Sequence, residues 1–269
     1  MSHQRWKADV LLPGNWRGAS SVLLTGGDEL ILVDSGMPHD AHQLIHALER
    51  RGLRPDDIPI LINTHFHLDH VSNNCLFPSS AIYAAEESFE WCRGLYADML
   101  NDAGWHERVL KYYPETFEYE DAGFLLGKIR KIALRWWDLN RIGAPAQFRW
   151  LERHSLPSGI DVLMTSGHVP GHVSLVVHNG GGRTVIAADA LVTRSQDDRV
   201  LTMIPRNRAQ YLRDRETILA LRGAIIPGHD EPFMNPGKAE TSGDRNGANK
   251  PVNEKKASRR GAVPQRLAR

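Results

Sequence analysis

Asn63-Thr64-His65-Phe66-His67-Leu68-Asp69-His70 decides how the rest of this 269-residue chain is read. The segment follows an apolar run, Ile58 to Ile62, that predicts a buried strand. Residues two apart on an extended strand end face the same side, so His65 and His67 point together. His70 lies three after His67 and returns to that side if a helical turn starts here. Asp69 then sits at the N-terminus of the new helix, where a carboxylate is favoured. Imidazoles and a carboxylate in one short segment suit zinc and related first-row metals. The expectation is a metal site at a strand-to-helix junction.

Upstream, Val10 to Leu12, Ser21 to Leu24 and Glu29 to Asp34 read as three short strands. Pro13-Gly14-Asn15 and Gly26-Gly27-Asp28 turn the chain between them, which predicts an antiparallel opening to a sheet. Asp34 ends the third strand, as a turn carboxylate or as a partner for a metal-site group. Asp40 to Arg51 is an amphipathic helix with Gly52 beyond its end, and it carries His42 and His46 on its surface. Ala81 to Ala84 is a further strand.

Glu86 to about His154 has a helical pattern, with Asp121 to Ile142 as its longest candidate. It holds Trp91, Trp105, Trp136, Trp137 and Trp150, five of the seven tryptophans. Either these pack into a core or they present aromatics over a pocket or an oligomer surface. Strand patterns resume at Leu156 to Leu163, Leu175 to Val177, Thr184 to Ala188 and Ala224 to Pro227, with a helix over Gln210 to Arg222. His172, Asp189 and His229 each flank one of these strands.

Composition bounds the function. No apolar run approaches the ~20 residues of a membrane span, and the polar N-terminus lacks a signal-peptide core. Cys75 and Cys92 are the only cysteines and make no CxxC pair, which fits a reducing, cytoplasmic setting. Residues 238–269 hold nine of the 33 Lys/Arg and three of the 32 Asp/Glu. That segment therefore carries +6 and the remainder −5. The segment has no apolar periodicity and reads as a disordered basic tail on a folded body of residues 1–237. A mildly acidic body is a poor match for nucleic acid.

His65-x-His67-x-Asp69-His70, Ser166-Gly167-His168-Val169-Pro170-Gly171-His172, Ala187-Ala188-Asp189 and Pro227-Gly228-His229 occur in that order, and together they resemble the metallo-β-lactamase fold superfamily. The resemblance runs from about Val10 to Phe233. It implies an α/β protein, an αββα sandwich of two mixed sheets with helices outside and metals at one edge. Here it would carry a helical insertion over about 86–154. Carried over by motif, His65, His67 and His172 resemble the ligands of one metal. Asp69, His70 and His229 resemble those of a second, with Asp189 bridging. His172 is chosen over His168 because Val-Ser and a strand follow it; His168 and Asp34 are then supporting residues.

The same resemblance narrows the activity. Zinc β-lactamases lack the bridging carboxylate, and flavodiiron-type proteins carry Glu where His67 stands, so two zinc ions are implied, with iron and manganese fitting the same donors. Glyoxalase II-type thiolester hydrolases add a C-terminal helical domain that this chain does not show. The pattern that remains is similar to lactonase-like and small single-domain metallo-hydrolases. It implies hydrolysis of an ester, a lactone or a similar bond by a metal-bridging hydroxide, with Asp69 as ligand and proton carrier. The alternatives are a phosphodiesterase or nuclease of the same superfamily, and a metal-binding scaffold without turnover. The expected partner is a small-molecule substrate rather than nucleic acid or membrane, with the Trp-rich insertion as a surface for a homodimer. One departure stands out: similar lactonases place a Tyr three residues after the bridging Asp, where this chain has Val192. Tyr83, Tyr96, Tyr112 and Tyr113 are the candidates to replace it. Leu76-Phe77-Pro78 and Pro227-Gly228-His229-Asp230-Glu231-Pro232-Phe233 resemble the small single-domain proteins.

Overall fold

Period-two alternation along the strands builds three apolar layers. In the computed structural model, which describes residues 5–115, 122–195 and 205–237, Val22 and Leu24 of β2 (Ser21–Gly26) face one way and Leu23 the other. Ile31 and Val33 of β3 (Glu29–Val33) likewise oppose Leu32. On the second sheet, Leu175 and Val177 of β8 (Val173–His178) oppose Val176. The inward sets meet Ile62, Ile160, Ile186 and Ile226 in a buried layer between the two sheets. Outside the first sheet, α1 (Ala41–Glu49) covers Leu23, Leu32 and Leu61 with Leu44 and Leu48. Outside the second, Ile218 of α7 (Arg208–Ala220) packs on Val176, Val185 and Ile225. The result is the expected mixed α/β sandwich, helices outside two facing sheets.

The first sheet has the order β1-β2-β3-β4-β5-β6 and the second the order β11-β10-β9-β8-β7. The opening β1 (Lys7–Leu12), β2 and β3 pair antiparallel, as the turn signals predict. β4 (Ile60–Ile62) and β5 (Ala81–Ala84) then add in parallel. In the second sheet, β7 (Ile160–Met164), β8 and β9 (Arg183–Ala188) are antiparallel neighbours, and β10 (Gly223–Pro227) runs parallel to β9. Val33 pairs with Ile62, and Pro227 with Ala188. Parallel pairing thus delivers Asp34 beside Asn63, and His229 near Asp189, at matching strand ends. Because β8 is antiparallel to β9, the start of β8 reaches the same edge.

Three differences from the sequence reading have local causes. The 86–154 segment is not wholly helical: β6 (Phe148–Trp150) pairs in parallel with β5 and extends the first sheet by an edge strand. Three residues are too few to show periodicity. The long helix expected over 121–142 is α5 (Ala122–Trp136) followed by a short α6 (Leu139–Ile142), and Asp138 caps the second by accepting the Asn140 N–H at 2.9 Å. α5 equals α3 (Glu86–Leu100) in length, at 15 residues each. β11 (Phe233–Asn235) adds a further short edge strand. His42 and His46 are exposed on α1, as expected. The basic tail from Lys238 lies outside the described residues.

The insertion has its own core. Phe66, Leu95, Met99, Leu126 and Ala133 are buried together, and Trp91, Trp105, Trp136, Trp137 and Trp150 pack against them partly buried. The tryptophans therefore hold the insertion to the sandwich. α4 (Trp105–Leu110) completes this unit, ahead of Tyr112 and Tyr113.

The loop before β8 is clamped onto α7. Gly167 N–H donates to Asp214 at 2.8 Å, and the Gly167 and His168 carbonyls accept from Asn207 and Arg206. A Cβ at Gly167 would collide with the α7 backbone at Tyr211. Gly167→Ala should therefore lower the unfolding free energy by about 1–3 kcal/mol, measured by denaturant titration. Gly181→Ala, in open space, is the control expected to stay near wild type.

Candidate metal centre

The centre forms where four strand ends and one loop converge. After β4 the chain crosses between the sheets: Asn63 N–H bonds Tyr83 O at 2.9 Å, and Thr64 O accepts Val173 N–H at 2.9 Å. This fixes His65 and turns the chain into α2 (Leu68–Val71), whose N-cap is His67 and whose first turn holds Asp69. His70 follows on the same short helix. Ala188, at the end of β9, and Asp34, just beyond β3, are the two non-glycine residues with positive φ among the described residues, at 45° and 55°. Such backbone costs about 1–3 kcal/mol per residue and tends to sit at functional sites. Each lies at a strand end that turns a carboxylate into the centre.

Asp189 is fully buried, and its two oxygens divide the centre. Oδ2 lies 3.7 Å from His65 Nε2 and 3.4 Å from His168 Nε2. Oδ1 lies 3.4 Å from both His70 Nε2 and His229 Nε2. None of these approaches makes a hydrogen bond: both Asp189 oxygens and Nε2 of His65, His70 and His229 are buried without a partner. His67 Nδ1 is 3.0 Å from His168 Nε2, and Asp69 Oδ2 is 3.3 Å from His229 Nε2. Two compact ligand sets result, one of His65, His67, His168 and Asp189, the other of Asp69, His70 and His229.

The outer ring nitrogens are fixed by acceptors, which leaves the inner ones bare. His70 Nδ1–H donates to Asp34 Oδ2 at 2.7 Å, and Asp34 is itself held by Thr64 N–H and Oγ1–H at 2.9 and 2.7 Å. His229 Nδ1–H donates to the Asn15 carbonyl at 2.8 Å. Gly228 is needed here, because a Cβ would collide with Asp189 Oδ1.

The structure corrects one expectation. His168, not His172, joins the converging donors. His172 Nε2 accepts the Asp189 backbone N–H at 3.2 Å, so its Nδ1–H must donate to Thr165 Oγ1 at 2.8 Å. Thr165 in turn contacts Ser174 Oγ at 3.0 Å, which donates to Ala187 O at 2.8 Å. With both nitrogens committed, His172 has no lone pair for a metal and serves to hold Asp189. The reason is positional: His172 abuts β8, flush with the sheet, whereas His168 lies on the loop beyond. The sequence carries no signal that separates them, because each histidine follows a glycine, Gly167 and Gly171. Asp34 and the other six assigned residues are all at the centre.

Burial and charge split the histidines. Desolvation pushes His65 and His168 well below the ordinary imidazole range, His67 to about 4 and His172 to about 3, so these four are neutral. Burial also opposes charge on His70 and His229, but Asp189 and its neighbouring carboxylates overcome it. His70 is raised, and His229 reaches about 10. Asp69 and Asp189 are lowered despite burial by these two cations. An anionic carboxylate centred among imidazoles, two of which would give up a proton to a metal, is a donor set that fits two divalent cations.

A cavity of about 430 Å³ opens above this floor. Asp69, His67, His168 and His229 lie at its base, and Leu125, Ile129 and Ile132 of α5 line one side. Of the four candidate tyrosines, Tyr83 packs between the sheets and Tyr112 bonds Asp98. Tyr96 and Tyr113 line the cavity, and Tyr113 Oη is 3.5 Å from His67 Nε2.

Fold and centre together define a metallo-hydrolase sandwich. The metallo-beta-lactamase superfamily model matches residues 14–229, and the chain belongs to that superfamily. It is 26% identical over 239 residues to human metallo-beta-lactamase domain-containing protein 1, covering 87% of this chain and 72% of that protein. It is 26% identical over 225 residues to the Bacillus subtilis protein named "Probable metallo-hydrolase YflN", covering 76% of each. Among solved structures, a mutant of B. thuringiensis AiiA with N-decanoyl-L-homoserine at its active site superposes with a TM-score of 0.53 at 18% identity, covering 86% of this chain and 94% of that one. Family and relatives make the chain an enzyme of the metallo-hydrolase class.

Two outcomes follow. His168→Ala should leave one tightly held metal equivalent, whereas His172→Ala should still take two, with affinity lowered about 10–100-fold; elemental analysis and chelator competition separate them. At pH 7.5 the metal-free protein holds protons on His70 and His229. Loading both sites should release about two protons, read by calorimetry in buffers of different ionisation enthalpy. The release should fade towards pH 10, where His229 loses its proton before any metal arrives.

Proposed function

We propose that this enzyme is a dinuclear, zinc-loaded hydrolase that opens an ester, lactone or thioester bond in a small molecule with an apolar part. The supporting observation is Asp189: one buried carboxylate, its two oxygens aimed at two imidazole sets, of which His67, His168 and His229 line an apolar cavity. Two zinc ions bound there supply Lewis acidity and a water acidic enough to ionise near neutral pH.

The chain's own groups have distinct tasks. His65, His67 and His168 would hold one ion and Asp69, His70 and His229 the other, with Asp189 lying between the two sets. Asp69 is kept ionised by His70 and His229, so its Oδ2 can orient the attacking water, take its proton and return it to the leaving oxygen or sulfur. Tyr113 is buried, and desolvation raises its phenol far above neutrality, so it stays an O–H donor. From the cavity floor it can donate to the substrate carbonyl, the task that similar lactonases give to a residue placed where Val192 stands. Leu125, Ile129, Ile132 and Met37 exclude water from the apolar part of the substrate. Walls of this kind favour an acyl compound over a phosphodiester.

Metal analysis combined with turnover of lactones, thioesters, aryl esters, β-lactams and bis-p-nitrophenyl phosphate tests the proposal. Acyl compounds should be turned over fastest with two zinc per chain; preference for the phosphodiester would overturn the reading. His65→Ala and Asp189→Ala should each abolish hydrolysis and lower bound metal. Tyr113→Phe should lower kcat by about 10–100-fold with metal content unchanged.

A further inference from the structure

The loop between β1 and β2 presents an aromatic and a cation to the cavity mouth. Trp16 is 80% exposed, more than any other large apolar side chain among the described residues. The Arg17 guanidinium lies over its ring at 4.4 Å, and both residues line the cavity that holds Asp69 and His229. An exposed tryptophan forfeits its burial energy, and here it stands where a ligand would cover it.

The loop is tied to the metal centre. Asn15 and Gly18 exchange backbone hydrogen bonds at 3.0 and 3.2 Å, and Asn15 Oδ1 accepts the Arg17 N–H at 2.8 Å. The Asn15 carbonyl holds His229. Ser20 bonds the Gly228 carbonyl with its N–H and the Pro227 carbonyl with its hydroxyl, each at 2.8 Å. Gly14 passes so close to Gly228 that a Cβ would collide with its carbonyl. Trp16 and Arg17 are therefore held in register with the reacting centre.

Arg17 has no carboxylate within ion-pair distance among the described residues. It is a planar fork of N–H donors, stacked on an indole and open to solvent, on a body that carries net negative charge. Such a fork recognises a planar or tetrahedral oxyanion. Leu125, Ile129 and Ile132 line the same cavity and suit a hydrocarbon segment of the ligand.

We propose that Trp16 and Arg17 form a recognition element for an anionic group, so that the substrate is an acyl ester, lactone or thioester carrying a carboxylate or phosphate remote from the scissile carbonyl. This rests on the hydrolase reading for the reaction but not for the binding.

The test uses the zinc-loaded full chain and three p-nitrophenyl esters matched in chain length. Their far ends carry a carboxylate, a phosphate or a neutral methyl ester. Wild type should favour an anionic end by at least about ten-fold in kcat/KM, and added salt should shrink that ratio. Arg17→Gln should bring it near one, and Arg17→Lys should keep part of it. Whichever anion shows the larger ratio identifies the group. The matching amides, which resist cleavage, are titrated in parallel by calorimetry and Trp fluorescence. Arg17-dependent binding of the anionic amide without turnover of any ester would uphold the recognition element and overturn the hydrolase reading. Turnover with a ratio unmoved by Arg17→Gln would overturn the recognition element. So would binding of single-stranded RNA that needs Trp16 and Arg17 while the amides do not bind.

Discussion

A buried carboxylate without hydrogen bonds is the constraint on which the rest of this structure depends. Asp189 is removed from water with both oxygens lacking donors, which is costly unless cations compensate. Much of the fold works to keep it there. β9 ends in a strained Ala188, Gly228 leaves room beside Oδ1, and His172 gives up its own lone pair to hold the Asp189 backbone. His70 and His229 balance the charge while they carry protons. Metal ions would replace those protons as the positive charge that compensates Asp189.

Around that centre, two additions make the enzyme particular. The insertion brings α5 and Tyr113 over the metal floor, and its tryptophans pack it onto the sandwich rather than line the cavity. The β1–β2 loop lines the same cavity with Trp16 and Arg17 and holds His229 through the Asn15 carbonyl. Chemistry and selectivity are thus separated physically. Strand ends carry the ligands, which demand rigidity. A helical wall and a surface loop carry the contacts that tell one acyl compound from another.

Much of this was legible in the sequence. Period-two apolar runs disclosed the strands because a two-sided buried sheet imposes that period. The His65 to His70 segment, Asp189 and His229 declared themselves by residue type at strand ends, and Asp34 was visible as a carboxylate just beyond β3. The three-residue β6 and β11 escaped because they are too short to show a period. The helix expected over 121–142 broke at Asp138, where a side-chain cap outweighed continuous apolar periodicity.

The sequence by itself determined the strands and the donor chemistry, since both follow from residue type and local spacing, and its resemblance to a known superfamily implied how the two sheets are arranged. Only the tertiary structure decided between His168 and His172. Both follow a glycine in one short segment, and the choice depends on the Asp189 backbone N–H arriving from another strand to occupy one of them. It also decided which tyrosine faces the cavity, and that Trp16 and Arg17 stand at its mouth. These are contacts between residues distant in the chain, and no local pattern encodes the distance between them.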